Sequence, residues 1–155
     1  MARETERKFL VNGNFLPYVS RSYTIKQGYL QCDPARTVRV RIKGNRAYLT
    51  VKGISSQSGI TRNEWEYEIP IADAEEMLQL CGENKIEKIR YEVPCGNLTF
   101  EVDEFLGANK GLLLAEIELP QENTPFEKPE WLGAEVTGDV RYYNSSLSGN
   151  SCNKW

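Results

Sequence analysis

Apolar and polar residues alternate with a period of two through most of this chain, the pattern of strands that turn one face to a core and the other away. Arg3–Val11 sets Glu4, Glu6 and Lys8 against Phe9 and Val11, and Gln27–Gln31 places Tyr29 between two glutamines, opposite Leu30 and Cys32. Thr37–Lys43 opposes Arg39 and Arg41 to Val38, Val40 and Ile42. The turn signal Lys43-Gly44-Asn45 then leads into Ala47–Lys52 as its hairpin partner. Arg62–Ile69, Glu87–Val93, Leu98–Asp103 and Leu112–Leu119 alternate in the same way, which makes eight expected strands.

Helices are few. Asp73–Cys81 opens on an N-cap residue type and is followed by Gly82, a C-terminal signal. Asn14–Ser20 is expected to hold a short helix around Pro17, and Val140–Leu147 a terminal one. No repeat, low-complexity tract or linker divides the chain, so residues 1–148 are read as one domain and 149–155 as a frayed polar tail.

The polar faces carry charges of one sign two residues apart: Arg39 with Arg41, Glu64 with Glu66, Glu116 with Glu118. Such neighbours share a strand face and repel unless a counter-ion sits between them. Two geometries satisfy the pattern. In one, a sandwich turns its charged faces to solvent. In the other, the sheet closes into a barrel with the charges inside, where eight strands leave room for one small ligand. Periodicity alone does not choose.

Composition narrows the chemistry. The chain has 155 residues, no histidine and a formal net charge of -3. The missing histidine excludes Ser-His-Asp triads, Cys-His pairs and His-Glu-x-x-His zinc sites. Acid–base work must then come from Lys, Tyr, Asp, Glu or Cys, and a metal would take oxygen ligands, favouring Mg²⁺ or Mn²⁺. The charge argues against a nucleic-acid partner. No apolar run is long enough to span a membrane and no secretory leader is seen, so a cytoplasmic protein is expected. Its four cysteines are expected reduced and buried as small apolar residues.

The opening Glu4-Thr5-Glu6-Arg7-Lys8 resembles the E-x-E-x-K signature of the CYTH, or triphosphate tunnel metalloenzyme, superfamily. Gln27-Gly28-Tyr29-Leu30, Val38-Arg39-Val40-Arg41, Leu49-Thr50-Val51-Lys52-Gly53 and Arg62-Asn63-Glu64-Trp65-Glu66-Tyr67 resemble its successive blocks. So do Glu87-Lys88-Ile89-Arg90-Tyr91, Glu101-Val102-Asp103-Glu104-Phe105, Ala115-Glu116-Ile117-Glu118-Leu119 and the stretch from Trp131 to Tyr142. The resemblance spans nearly the whole chain. It implies a closed, eight-stranded antiparallel β-barrel with a charged tunnel and a few flanking helices, acting on a triphosphate with Mg²⁺ or Mn²⁺. The small inorganic tripolyphosphatases are the branch most resembled, with class IV adenylyl cyclases, thiamine triphosphatases and a non-catalytic polyphosphate or nucleotide binder as alternatives.

On that resemblance Glu4, Glu6, Glu116 and Glu118 are the expected metal ligands, joined by Glu64, Glu66 and Asp103 through a second metal or bound water. Lys8, Arg39, Arg41, Lys52 and Arg90 are the expected phosphate clamp, with Arg141 a further candidate; positioning and charge neutralisation are what phosphoryl transfer requires. Lys88 and Tyr29 are the expected water activators. Trp65, Tyr67 and Phe100 are expected to pack between wall and helices, and the chain to be a monomer or homodimer.

Overall fold

The computed structural model of the chain describes residues 2–148. Nine strands form one antiparallel sheet: β1 (Ala2–Val11), β2 (Arg21–Gln31), β3 (Arg36–Lys43), β4 (Arg46–Ser55), β5 (Thr61–Ile69), β6 (Lys85–Cys95), β7 (Leu98–Phe105), β8 (Leu113–Glu118) and β9 (Leu132–Glu135). Their order is β5-β4-β3-β2-β6-β7-β8-β1-β9, and a further pairing of β5 with β1 closes the first eight into a barrel. Strand β1 is the seam. Ala2–Thr5 pair with β5, and Glu6–Leu10 pair with β8 on the other side. Where β5 departs, β9 takes over that edge at Phe9 and Val11.

Closure removes the free edges of the sheet and sends alternate residues inward. The outward faces are covered unevenly. Helix α1 (Ile71–Leu80) lies over β2, β3 and β4, packing Ala74, Met77 and Leu78 on Val40, Ala47, Ile42 and Leu49. Gly28 permits this approach, because a Cβ there would meet the Cys81 sulfur at 2.7 Å. On the opposite wall Phe9, Val93, Phe100, Val102 and Ile117 are covered by Phe15, Phe126 and Trp131, with Phe100 and Trp131 edge to face at 5.2 Å. Over β5 the described residues place no such cover, so Trp65 and Tyr67 are 36% and 65% exposed. Phe100 therefore packs as expected, while Trp65 and Tyr67 do not.

Inside one end of the barrel, Leu10, Ile86, Phe105 and Leu114 meet Tyr142 and Leu147. The chain after β9 thus stoppers that end, making the interior a cup. It does so as a 3₁₀ turn (Val140–Tyr142) and a short helix α2 (Asn144–Leu147), broken by extended backbone at Tyr143. The single helix expected over Val140–Leu147 is not formed. Two other departures have plain causes. Strand β2 begins at Arg21, six residues before its expected start: Tyr23 and Ile25 alternate there with Ser22, Thr24 and Lys26, a period-two pattern that extends the strand. Strand β9 went unread because Gly133 and Ala134 show no alternation. The glycine is needed there, since a Cβ would lie 2.9 Å from the Leu10 carbonyl oxygen.

Among the described residues no helix is long and apolar enough to cross a membrane. Cys81 is buried and Cys95 half-buried, both free thiols. Cys32 is disulfide-bonded at the partly exposed end of β2, contrary to the reduced state expected, and Cys152 lies outside the described residues, as does the expected tail 149–155. Unequal cover of the wall yields a first prediction. Phe100→Ala should cost about 3–5 kcal/mol in urea denaturation, whereas Tyr67→Ala should stay within about 0.5 kcal/mol.

Candidate active site

The inward phase of the strands lines a cavity of about 250 Å³. Seven cations (Lys8, Arg39, Arg41, Lys43, Lys52, Arg62, Arg90) face seven carboxylates (Glu4, Glu6, Glu64, Glu66, Glu101, Glu116, Glu118) within it. The register makes many of them cross-strand neighbours: Lys52 with Glu64, Lys8 with Glu116, Glu101 with Glu116. Their charges compensate, yet unlike groups are not fully interleaved.

One corner gathers carboxylates. Burial, then the charges of Glu116 and Glu4, push the Glu6 carboxyl well above the ordinary carboxylate range. Burial opposes ionisation of Glu4 as well, but Lys52 overrides it and holds that carboxyl at about 2. Lys52 Nζ lies 3.0 Å from Glu4 Oε1 and 2.9 Å from Oε2. Buried Oε2 nevertheless receives no aligned hydrogen bond. Against burial, Lys8, Arg90 and Lys88 hold Glu116 well below the ordinary range. A crowded carboxyl pushed toward its neutral form beside two further carboxylates, Glu4 and Glu116, fits a hard divalent cation. Among the described residues no three of these groups already converge on a single coordination point. Glu4 would have to turn partly from Lys52 to complete one.

The other side gathers cations. Arg39 donates to Thr50 and lies 3.6 Å from Glu66, but its buried Nε has no partner. Arg41 donates through Nε to Gln27 Oε1 at 2.8 Å, and among the described residues no carboxylate stands within ion-pair distance of it. Burial, then the fields of Arg39 and Arg90, lower its pKa to about 10. A guanidinium left without a carboxylate, beside one whose Nε has no acceptor, is placed to receive an anion.

Behind this wall sits a buried cluster. Arg90 forks onto Asp103, with Nε to Oδ1 and Nη2 to Oδ2 both at 2.8 Å, and Lys88 Nζ donates to Oδ2 at 2.6 Å. Asp103 is thereby committed to two cations. Lys88 is fully buried, and burial lowers its pKa to about 7, with the Asp103 charge opposing the fall. Its nitrogen also donates to Asn144 Oδ1 at 2.8 Å. Tyr29 lines the cavity and its hydroxyl accepts from Gln27 Nε2 at 3.2 Å.

Most of the expected residues are thus brought together: Glu4, Glu6, Glu64, Glu66, Glu116, Glu118, Lys8, Tyr29, Arg39, Arg41, Lys52 and Arg90 all line the cavity. Lys88 and Asp103 lie behind it. Arg141 is outside, half-exposed and forked onto Asp139 in its own 3₁₀ turn. Sequence reasoning passed over Lys43, Arg62 and Glu101, each two residues from a chosen one and in its phase. That signal was available. Asn144 carried none, since it acts from an irregular segment.

Residues 2–147 match the CYTH domain. The chain belongs to the CYTH family. A CYTH relative from Acetivibrio thermocellus, an inorganic triphosphatase, is 50% identical over 97% of this chain and 96% of its own. Another from Nitrosomonas europaea, also an inorganic triphosphatase, is 35% identical over 94% and 96%. A solved inorganic triphosphatase superposes with a TM-score of 0.65 at 31% identity, covering 97% of both chains. The CYTH barrel explains why the inward phase holds so much charge: its cavity is built for function at some expense of stability. Glu6→Gln, which removes a carboxyl whose anion is disfavoured by burial and by the charges of Glu116 and Glu4, should therefore raise Tm in metal-free buffer at pH 7–8. Differential scanning calorimetry reads the shift, and an unchanged or lower Tm would mean that Glu6 is not crowded.

Proposed function

We propose that this protein hydrolyses inorganic tripolyphosphate to diphosphate and phosphate with Mg²⁺ or Mn²⁺ in its cup. The observation that carries the reading is the polarity of the cavity: Arg41 stands without a carboxylate and Arg39 Nε without an acceptor, opposite a corner where the Glu4, Glu6 and Glu116 carboxyls crowd together. A polyanion that arrives with a cation satisfies both sides at once. The volume favours a small inorganic substrate, since about 250 Å³ falls below the roughly 300–1,000 Å³ usual for drug-sized ligands. The rim aromatic Tyr23 is already engaged by Arg21 and Lys43 at 5.1 and 5.0 Å, which disfavours stacking of a nucleobase.

Glu4, Glu6, Glu116 and Glu118 would hold the cation, with Glu64 and Glu66 near enough to join through water. A bound divalent ion supplies charge neutralisation at phosphoryl oxygens and a more acidic water. Arg39, Arg41, Arg90, Lys8 and Lys52 bind and orient the phosphoryl chain. Water attacks the terminal phosphorus, the bond to the bridging oxygen breaks, and that oxygen leaves on diphosphate. The proton released by water needs an acceptor. Lys88, buried behind the wall, would take it by relay rather than by direct contact: two of its N–H bonds go to Asp103 and Asn144, and near neutral pH its amine has a lone pair left. Tyr29, on the cavity wall, orients the water.

Phosphate release from tripolyphosphate, ATP and thiamine triphosphate, each with Mg²⁺ and with Mn²⁺, tests the reading. Tripolyphosphate should be turned over fastest and EDTA should abolish activity; cyclic AMP from ATP at a comparable rate would overturn the assignment. Variants then separate the roles. Arg41→Ala should chiefly raise KM, by about ten- to a hundredfold, as expected for a lost charge-assisted hydrogen bond. Lys88→Ala should chiefly lower kcat, by about a hundredfold or more. A Lys88→Ala enzyme with unchanged kcat would place the proton acceptor elsewhere.

A further inference from the structure

Asn144 opens the last helix of the described chain and its side chain faces the cavity. Oxygen and nitrogen of an amide look alike by shape, so its orientation has to come from its partners. Here the partners decide. Arg41 is an obligate donor, and its Nε bonds Gln27 at 2.8 Å, which makes that Gln27 atom the oxygen. The Gln27 nitrogen must then be the atom that donates to Tyr29 at 3.2 Å and to Asn144 at 3.4 Å. The Asn144 atom receiving it is therefore the oxygen, and Lys88 donates to that same atom at 2.8 Å. Orientation is passed from a guanidinium, through one amide, to the next.

The consequence lies at the far end of the Asn144 side chain. Its Nδ2 carries two N–H bonds directed away from Lys88 and Gln27, and among the described residues no acceptor takes them. We propose that Asn144 is a substrate-binding residue whose amide N–H groups donate to a phosphoryl oxygen. This inference rests on the triphosphatase reading and adds a residue to it. A neutral donor strengthens the grip on an anion without adding to the like-charge repulsion that Arg39 and Arg90 already impose on Arg41. The chain beyond β9 then closes the cup and also supplies part of the binding surface.

Asn144→Asp separates binding from structure. A carboxylate still accepts from Lys88 and Gln27, so a purely structural role survives the change, whereas the donors are lost and a negative charge faces the phosphates. Equilibrium binding of tripolyphosphate in metal-free buffer should weaken at least tenfold, as for a lost hydrogen bond to a charged group, with Tm retained. Asn144→Ala should weaken binding less, since it adds no repulsion. An Asn144→Asp protein that binds tripolyphosphate as tightly as wild type overturns the proposal. Should that variant not fold, Asn144→Ala decides, and wild-type binding by it is equally fatal. Wild-type protein that neither binds nor hydrolyses tripolyphosphate would overturn the functional reading and this inference together. Normal wild-type turnover with unaltered Asn144 variants would remove only the inference.

Discussion

A closed barrel has no solvent-facing alternative for its inward residues, and everything else in this structure follows from that constraint. Once β1 pairs with β5 on one side and β8 on the other, Glu4, Glu6 and Lys8 are committed to the interior with Glu116 and Glu118. Charges removed from water destabilise the fold unless they find partners. The response is graded by depth. Asp103, almost fully buried, is satisfied by both Arg90 and Lys88, whereas the cavity residues nearer solvent are left incompletely matched. The incomplete matching is where a ligand can act.

Strand phase made most of this readable from the sequence. Given one inward residue on a strand, its i±2 neighbours follow, which is how Arg39 and Arg41, or Glu116 and Glu118, could be placed in one cavity. What phase does not show is depth. Lys88 and Arg90 share a phase, yet Arg90 lines the cavity while Lys88 lies behind it, because Phe105 stands opposite Lys88 at that level of the barrel. Nor does phase show what covers an outer face. Phe100 and Trp65 both alternate outward, and only the packing of Trp131 and Phe126 on one wall tells them apart. Strand β9 and Asn144 were beyond reach for a third reason: their roles come from long-range contacts, with β1 and with Lys88, and leave no local pattern.

The cluster around Lys88 shows how a fold can tune one group by means of its charged neighbours. Burial alone would favour the neutral amine, and Asp103 alone would favour the ammonium ion. Arg90 shares Asp103 and weakens its pull, leaving the lysine able to exchange a proton near neutrality. Histidine usually serves in that range. This chain, which has none, obtains a comparable group from a lysine and its surroundings.

The position of β1 at the barrel seam also has a consequence for assembly. Its partners in β8 lie more than a hundred residues later in the chain, as Glu6 pairs with Glu118 and Lys8 with Glu116. Contacts this distant form late and slow the search for the native state. During synthesis β1 waits as an unpaired strand until β5 and then β8 have emerged, and until then the two acidic halves of the proposed cation site are in separate places. A partly made chain could not offer the proposed site that the finished barrel assembles. An ion held there would contribute its binding energy only on closure, sealing the barrel and never starting it.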